Sequence, residues 1–388
     1  ALDGSETNPH PDGGTVPVHH MTNLEPDDPP HSWNAVHAQH NGGANDGFVA
    51  AWIDDGAGPD ETQVMGYYSR DEVPIHHALA DAYAVCNHYH CSVLGPTWPN
   101  RFYLHGATAE GKKDNTPIFG GFEEIFERLK DAGHTVRNYH HGAPWCSGAY
   151  FKFSDLAEFD EFKSDALTGN LPSFSIIDPQ FFGGGANDDH PNNANVPLAQ
   201  LLISDVYDSL ANSPQWNNCL LVVTYDEHGG FYDHVAPPAS ADADPDYDTV
   251  GFRVPALVAG PYVRSGCAID TFFDNVSPMA TVNRRWGITP INNRAAVTND
   301  LSSCLDPQRV AQQAPAAPVM MPRLNISMAE LRRHFERVRR GQIEQHPELL
   351  ESFRQQGVYR RIMRRFDAER TLKLHLDDCV RRGLARLV

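Results

Sequence analysis

Apolar residues along the chain follow two spacings, one typical of helices and one typical of buried strands. Between residues 122 and 132, apolar side chains recur at positions 122, 125, 126 and 129, which places them on one face of a helix. The run 220–224 is instead continuous and rich in β-branched residues, as in a strand buried on both faces. These patterns predict helices over 72–82, 122–132, 155–167 and 197–211, and strands over 83–90, 134–139, 173–177, 220–224 and 254–259.

This alternation of helices and strands is typical of an α/β fold in which helices cover both faces of a mostly parallel central sheet. Residues 1–60 lack the pattern and are rich in Gly, Pro, Asp, Asn and His, so we predict irregular structure over a surface. The sequence therefore predicts a body over residues 1–310, followed by a linker over 311–324 whose Ala, Gln and Pro content carries no apolar period.

The remaining region, residues 325–388, is predicted to be a basic helical appendage. It opens with the capping box Ser327–Glu330 and continues with helical stretches at about 347–368 and 370–386. We interpret its Arg-rich faces as solvated, and the alternative is that they dock on the body or on a partner. The charge contrast fits either reading, because the region carries +6 and the preceding residues −25.

The net charge of −19 narrows the class of partner. An acidic body argues against nucleic acid and suits a site that holds cations. Transmembrane helices are not expected either, since no window reaches the roughly 20 apolar residues that a bilayer requires. The seven cysteines form no CxxC pair, and we interpret most of them as buried thiols, with one or two disulfides as the alternative in an exported protein.

The strand predicted over 220–224 leads into the most informative motif, Tyr-Asp-Glu-His-Gly-Gly-Phe-Tyr-Asp-His at residues 225–234. Ligands of open α/β sheets bind just beyond the carboxyl ends of the strands. Asp226 and Glu227 are therefore candidate metal ligands, and the following glycines would let the chain turn so that both carboxylates face one site. The alternative is a solvated turn at the end of a strand.

A second motif lies at residues 91–101, Cys-Ser-Val-Leu-Gly-Pro-Thr-Trp-Pro-Asn-Arg. Its Gly-Pro turn places Thr97 where a helix can begin, beside backbone N–H groups that favour an anionic ligand. Asn100 and Arg101 would add donors for phosphate oxygens. Ser92 is the rival hydroxyl, and a helix-capping role for Thr97 is the structural alternative.

Two polar loops supply candidate histidines. The loop 187–192, Asn-Asp-Asp-His-Pro-Asn, follows a predicted strand and three glycines, and its His190 suits a ligand or a general acid. The segment 28–33, Asp-Pro-Pro-His-Ser-Trp, contains His31. The alternatives are a solvated loop for the first and a structural histidine for the second.

Taken in order, residues 74–101, 187–192 and 224–234 resemble the bacterial phosphoesterase family. That family includes phosphatidylcholine-hydrolysing phospholipases C and related respiratory-burst-inhibiting acid phosphatases. The resemblance covers roughly residues 25–305 and implies an alkaline-phosphatase-like sandwich in a periplasmic or secreted protein.

The resemblance also implies roles for individual residues. Thr97 stands where the family places its nucleophile, and Asp226 and Glu227 where it places metal ligands, with the Thr97 hydroxyl as a further ligand. His31 and His190 match catalytic histidines around the phosphoryl group. Substrate binding is expected from Asn100, Arg101, His228 and His234.

Two departures from the family pattern stand out. The family opens with a strand and a Glu-Asn-Arg-Ser-Phe-Asp-His motif that helps to bind the metal, and the 388 residues contain no such motif. Near residue 275, Asn275 and Val276 replace the His and Thr of a family Asp-His-Thr-Ser sequence. These differences are expected of either a trimmed copy or a variant with a damaged metal site. In either case we expect weak metal binding and little activity from this form.

The sequence therefore predicts a metal-dependent phosphoesterase that hydrolyses phospholipase C-type diesters through a phosphothreonine. The expected partners are a small phosphoester or a phospholipid head group together with a divalent ion, which could be Ca²⁺, Mg²⁺, Mn²⁺ or Zn²⁺. A broad-specificity acid phosphatase and a non-catalytic relative that binds metal or phosphate are the alternatives.

Overall fold

The computed structural model of the chain describes residues 4–192, 195–343, 346–365 and 367–388. Its strands are β1 (Thr7–Pro9), β2 (Thr15–Pro17), β3 (His19–His20), β4 (Gly66–Tyr67), β5 (Ala84–His90), β6 (Val136–His140), β7 (Leu156–Glu158), β8 (Phe174–Asp178), β9 (Leu221–Thr224), β10 (Ala256–Ala259), β11 (Cys267–Asp274), β12 (Leu324–Ile326) and β13 (Ala385–Leu387). Its helices are α1 (Trp33–His40), α2 (Phe48–Asp55), α3 (Pro74–Ala82), α4 (Thr97–Gly106), α5 (Ile125–Asp131), α6 (Trp145–Ala149), α7 (Phe159–Thr168), α8 (Val196–Ala211), α9 (Ser277–Trp286), α10 (Asn293–Val297), α11 (Pro307–Gln312), α12 (Met328–Arg339), α13 (Pro347–Gln355), α14 (Tyr359–Arg365) and α15 (Ala368–Arg382).

Two sheets form the centre of this mixed α/β fold. One has the strand order β11-β5-β10-β9 and the other the order β7-β6-β8. All neighbours in the three-stranded sheet are parallel, whereas β10 runs antiparallel to both β5 and β9. The prediction of a mostly parallel central sheet is therefore wrong for the larger sheet. Residues 225–255 connect β9 to β10 without a crossover helix, so β10 runs in the opposite direction to β9. The spacing of apolar residues does not predict this change of direction.

Most predicted elements are confirmed to within a few residues at their ends. The helix predicted over 155–167 begins later, because residues 156–158 form β7 and Glu158 then caps α7. Strand β11 was not predicted, since Asp270 and Thr271 interrupt its apolar run. These errors fall where polar residues occupy strand positions.

The first 60 residues contain more regular structure than predicted. Helices α1 and α2 lie here, and Phe48, Val49 and Trp52 of α2 are fully buried with Val36 of α1. The polar and glycine-rich residues occupy the connections, as where Asn41 ends α1 in the left-handed conformation. The prediction of irregular surface structure is therefore wrong for these two helices.

The C-terminal region is helical as predicted, but it packs as part of the body. Leu372 and Leu376 of α15 lie in the same buried cluster as residues of β5 and β10. Leu349 and Phe353 of α13 lie in a second cluster together with Trp98 of α4. The description of this region as an appendage is therefore wrong, because its apolar faces complete two cores of the body.

The segment predicted as a linker lies along the body. The indole Nε1 of Trp216 donates to the carbonyl of Ala316, and the Tyr207 hydroxyl accepts from Val319 N. Strand β12 then begins at Leu324 and pairs in parallel with β13. Backbone contacts thus hold residues 316–319 before the C-terminal helices begin.

The cysteines are free thiols, with Cys219 and Cys267 partly exposed and the other five buried. Cys86 Sγ and Cys304 Sγ are 3.9 Å apart. Within the described part of the chain, no helix has both the length and the apolar character needed to cross a bilayer.

Candidate active site

Arg101 connects the carboxyl ends of two strands, one from each sheet. It lies one helical turn after Thr97 on α4, which places both side chains on one face of the helix. Its Nη1 donates to Asp178 Oδ1 at the end of β8 (3.1 Å), and its Nε donates to Asp226 Oδ2 just beyond β9 (3.2 Å). The guanidinium also lies 5.4 Å from the ring centre of Trp145. A mostly buried cation therefore joins two carboxylates beside the predicted nucleophile.

Asp226 and Glu227 differ in their electrostatics although they are adjacent. Burial raises the pKa of Asp226, the neighbouring charge of Glu227 raises it further, and Arg101 only partly offsets both. Burial also opposes ionisation of Glu227, but interactions with His31 and His228 hold the pKa of Glu227 well below its usual range. The ionised form of Glu227 is therefore the better stabilised of the two carboxylates.

His31 interacts electrostatically with the carboxylate of Glu227. Its Nδ1 donates to the carbonyl of Pro29 at 2.8 Å and lies 3.4 Å from Asp28 Oδ1. Burial alone would lower the pKa of His31, but the charges of Glu227 and Asp28 outweigh burial and raise it to about 9. His31 therefore holds its proton at neutral pH.

The loop after β8 brings His190 to the same place. The ring centres of His190 and His31 are 5.2 Å apart, and His190 Nδ1 donates to the carbonyl of Pro191 at 2.8 Å. A third imidazole, His346, lies 4.7 Å from His190, and its Nε2 donates to Asp188 Oδ2 at 2.6 Å. Three histidines from distant parts of the chain thus form one group.

Thr97 begins α4, as the Gly-Pro turn predicts. The N-terminal backbone donors of this helix are largely used, since Trp98 N donates to Asn115 Oδ1 at 2.9 Å and Asn100 N to the carbonyl of Pro96 at 3.5 Å. The expectation that unpaired N–H groups here attract an anion is therefore wrong for these two groups. The positive charge that can attract an anion beside Thr97 is therefore that of Arg101.

Asn100 has a structural role. It is fully buried, and its Nδ2 donates to the carbonyls of Gly95 and Pro96, while its Oδ1 accepts from Val93 N. The prediction that Asn100 binds substrate is wrong, because its side chain is occupied in shaping the turn before Thr97. The rival hydroxyl of Ser92 is fully buried.

The two histidines that follow Glu227 lie in different surroundings. His228 is buried with its Nε2 2.9 Å from Gln39 Oε1 and its ring 4.7 Å from that of Phe252. His234 is partly exposed, and its Nδ1 lies 3.6 Å from Asp233 Oδ1. These contacts do not involve Arg101 or Thr97. The expected role of the two histidines in substrate binding stays a prediction.

The site contains donors that suit a divalent ion. Asn275 Oδ1 is a buried oxygen without a hydrogen-bond partner among the described residues, and Asn275 Nδ2 donates to the carbonyl of Asp226 at 2.7 Å. Buried polar atoms left without a partner are uncommon and point to a missing ligand. In addition, ligand atoms of Asp28, His31 and His190 all lie within 4.8 Å of one another. Carboxylate, amide and imidazole groups together fit a divalent metal.

Several residues of this site have no role predicted from the sequence. Asp178 and Asn275 each lie at the end of a strand, a position that could have suggested them. Asp28 and Asp188 belong to the two polar loops. His346 carries no local signal, since it precedes Pro347 in a segment that reads only as basic and helical.

Comparison with known proteins identifies the class to which this fold and site belong. The model of the Phosphoesterase family matches residues 7–289, which is more than half of the chain. The chain therefore belongs to the phosphoesterase family, as the motifs predict.

Two relatives are similar over much of the chain. The non-specific phospholipase C3 of Arabidopsis thaliana is 34% identical over 283 residues, which are 64% of this chain and 54% of that protein. Phospholipase C A of Mycobacterium tuberculosis is 29% identical over 359 residues, or 76% of this chain and 68% of that protein. The chain thus spans about half the length of the plant relatives that it matches.

Similar solved structures are more distant. A protein of the alkaline phosphatase superfamily from Vibrio parahaemolyticus is 15% identical with a TM-score of 0.37, over 61% of this chain and 65% of that chain. The lipoteichoic acid synthase LtaP from Listeria monocytogenes is 12% identical with a TM-score of 0.43, over 59% and 70% of the two chains.

Proposed function

We propose that this chain is a metal-dependent phosphoesterase with an alkaline-phosphatase-like fold, which hydrolyses phospholipase C-type diesters through a phosphothreonine at Thr97. The observation that carries the proposal is the position of Arg101, which joins Asp178 and Asp226 one turn after Thr97. Membership of the phosphoesterase family and similarity to two phospholipases C support the same reaction class.

Arg101 would recognise the charge of the substrate. A phosphodiester carries one negative charge, and a planar guanidinium can hold two phosphate oxygens at once. In the structure its donors are directed to Asp178 and Asp226. We propose that substrate takes over part of this bonding, so that Arg101 holds the phosphoryl group near Thr97.

The reaction then proceeds in two displacements. The deprotonated Thr97 Oγ1 attacks phosphorus, an O–P bond forms, and the P–O bond to the leaving alcohol breaks. His31, whose pKa is raised to about 9, gives its proton to the leaving oxygen, with His190 as the alternative donor. In the second displacement, water attacks phosphorus and passes a proton to the now neutral imidazole, the bond between Thr97 Oγ1 and phosphorus breaks, and the phosphomonoester is released.

Asp226, Glu227 and the side-chain oxygen of Asn275 would hold the divalent ion, with Thr97 as a further ligand. When bound, such an ion lowers the pKa of the Thr97 hydroxyl and neutralises phosphate charge. The group Asp28, His31 and His190 is the competing set of ligands. The two sets can be told apart, because only the second requires His31 to give up its proton before the metal binds.

The proposal is tested by steady-state assays on p-nitrophenyl phosphorylcholine and p-nitrophenyl phosphate. Protein treated with a chelator should be inactive, and one of Ca²⁺, Mg²⁺, Mn²⁺ or Zn²⁺ should restore turnover of the diester. Because Asn275 replaces a histidine of the family pattern, we expect the restored rate to be low and the metal to bind weakly. Faster turnover of the monoester would identify a broad-specificity phosphatase instead. Metal binding by calorimetry without turnover of either compound would identify a non-catalytic relative.

A further inference from the structure

The loop that carries His190 is held in an unusual backbone conformation. Asp189 and Asn192 both have positive φ, 59° and 57°, which side chains other than glycine rarely adopt. Such conformations persist only when the surroundings impose them. Contacts from outside the loop must therefore hold it in place.

Several of those contacts come from the C-terminal region. Arg337 Nη2 donates to Asn192 Oδ1 at 3.0 Å, and its Nη1 donates to Glu25 Oε2 at 2.7 Å. Before the loop, the ring of Phe335 lies so close to Gly184 that a Cβ at this position would collide with it. Helix α12 therefore packs against Gly184, just before the loop, and hydrogen-bonds to Asn192 at the end of the loop.

His346 makes the contact nearest to the candidate catalytic groups. It is buried, precedes α13 in the left-handed conformation (φ 42°), and its ring lies 5.5 Å from that of Phe181 and 4.7 Å from that of His190. Its Nε2 donates to Asp188, whose side chain is 4% exposed. The imidazole thus supplies the charge partner of a buried carboxylate two residues before His190.

The same segment reaches the helix that begins with Thr97. Asn115 Nδ2 donates to Glu348 Oε1 at 3.1 Å, while its Oδ1 accepts from Trp98 N. The start of α13 therefore bonds to the histidine loop through His346, and Glu348 reaches the start of α4 through Asn115. The C-terminal region forms one wall of the candidate site.

We propose that His346 is a positioning residue for the proposed reaction. By bonding to Asp188, it fixes the loop 186–192 and holds His190 beside His31. The inference rests on the proposed function for its effect on turnover, but its effect on the loop is independent of any activity. A second link from the C-terminal region, in which Arg382 donates to Asp205 and Asp208 of α8, lies at the last turn of α15, whereas α15 approaches Gly185 near its first turns, through Ala368 and Leu372. The Arg382 link therefore supplies a matched control.

The test compares three variants of the full chain: His346→Ala, His346→Gln and Arg382→Ala. Hydrogen–deuterium exchange of residues 186–192 and the kcat and KM for phosphatidylcholine, whose alkyl alcohol needs a proton to leave, would be measured for each. In His346→Ala we expect faster exchange in the loop and a kcat lower by about tenfold to a hundredfold with KM nearly unchanged, because the catalytic groups are displaced rather than removed. His346→Gln keeps a donor and should restore much of both.

Arg382→Ala should lower the melting temperature without changing loop exchange or kcat. The proposal is overturned if His346→Ala leaves loop exchange at the wild-type level, or if Arg382→Ala loosens the loop equally. If wild-type protein shows no turnover, the proposed function fails, and the exchange data alone still decide whether His346 positions the loop.

Discussion

The two sides of the candidate site are built in different ways. On one side, Asp178 and Asp226 extend from the ends of strands, and Arg101 projects from a helix that begins at the same edge. On the other side, His31 and His190 lie on loops, and the second loop is held by Tyr225 at Asp189 and by His346 of the C-terminal region at Asp188. The strand-end side is fixed by the sheets, whereas the loop side depends on long-range packing.

The two sides therefore differ in how firmly they hold their side chains in position. Groups on sheet ends hold their positions because many backbone hydrogen bonds would have to break before they moved. Loop groups can be displaced by losing one or two side-chain contacts. We therefore expect substitutions on the strand-end side to remove activity or stability outright, and those on the loop side to change rates in a graded way.

The largest effect is expected from Thr97→Ala. Loss of the proposed nucleophile should reduce kcat by at least about a thousandfold, as for other enzymes that lose a covalent nucleophile. Melting temperature should change little, because one hydroxyl is removed. Ser92→Ala is the matched control and should retain most activity; the reverse result would make Ser92 the nucleophile.

A smaller effect on activity is expected from His31→Gln, on the loop side. If His31 protonates the leaving oxygen, turnover of a diester with an alkyl alcohol should fall by about a hundredfold. Turnover of a p-nitrophenyl ester should fall far less, because p-nitrophenolate leaves without a proton. Equal losses on both substrates, together with weaker metal binding by calorimetry, would assign His31 to the metal instead.

Arg101→Ala tests the stability of the strand-end side. It leaves Asp178 and Asp226 without their counter-charge at a mostly buried position, which should cost about 3 kcal/mol in the free energy of unfolding. Arg70, whose ion pair with Asp81 is exposed, is the matched control, and Arg70→Ala should leave denaturant unfolding unchanged. Similar losses for both variants would show that burial of the Arg101 network contributes nothing.

The smallest effect is a dependence of C-terminal docking on pH. Burial opposes ionisation of Asp205, but the hydrogen bond and charge of His375, with the charges of Arg382 and Lys163, hold the pKa of Asp205 below its usual value near 4. Because the folded-state pKa is depressed, this contribution to stability is complete above about pH 4 and is lost as the pH falls further. The difference in melting temperature between wild type and Asp205→Asn should therefore be largest near neutral pH and shrink in acid. A difference that stays constant down to pH 3 would contradict this account.

What the sequence predicts of the site does not follow this division, since His31 and His190 on the loop side were predicted, whereas Asp178 on the strand-end side was not. Asp226, Glu227 and Thr97 could be proposed as site residues because a buried strand or a Gly-Pro turn leaves a local pattern in the sequence, and their roles stay predictions. Asn100 was misread for a related reason. Its position after the turn is local information, but its burial and its bonds to Gly95 and Pro96 are not.

The role of His346 could not be predicted from local sequence patterns. Its role depends on the docking of α13 against Asp188, more than 150 residues earlier in the chain. The same holds for the direction of β10 and for the burial of the C-terminal helices, because both depend on where distant segments meet. Apolar spacing predicts that a face is buried but not which partner buries it.

The central claim is that Thr97 becomes covalently modified during turnover. The most direct measurement is peptide mapping by mass spectrometry after acid quenching of the metal-loaded protein mixed with p-nitrophenyl phosphorylcholine. The account predicts a phosphorylcholine adduct on the peptide that contains Thr97, absent from Thr97→Ala. An adduct on Ser92 or on a histidine, or steady turnover with no adduct at any quench time, would contradict it.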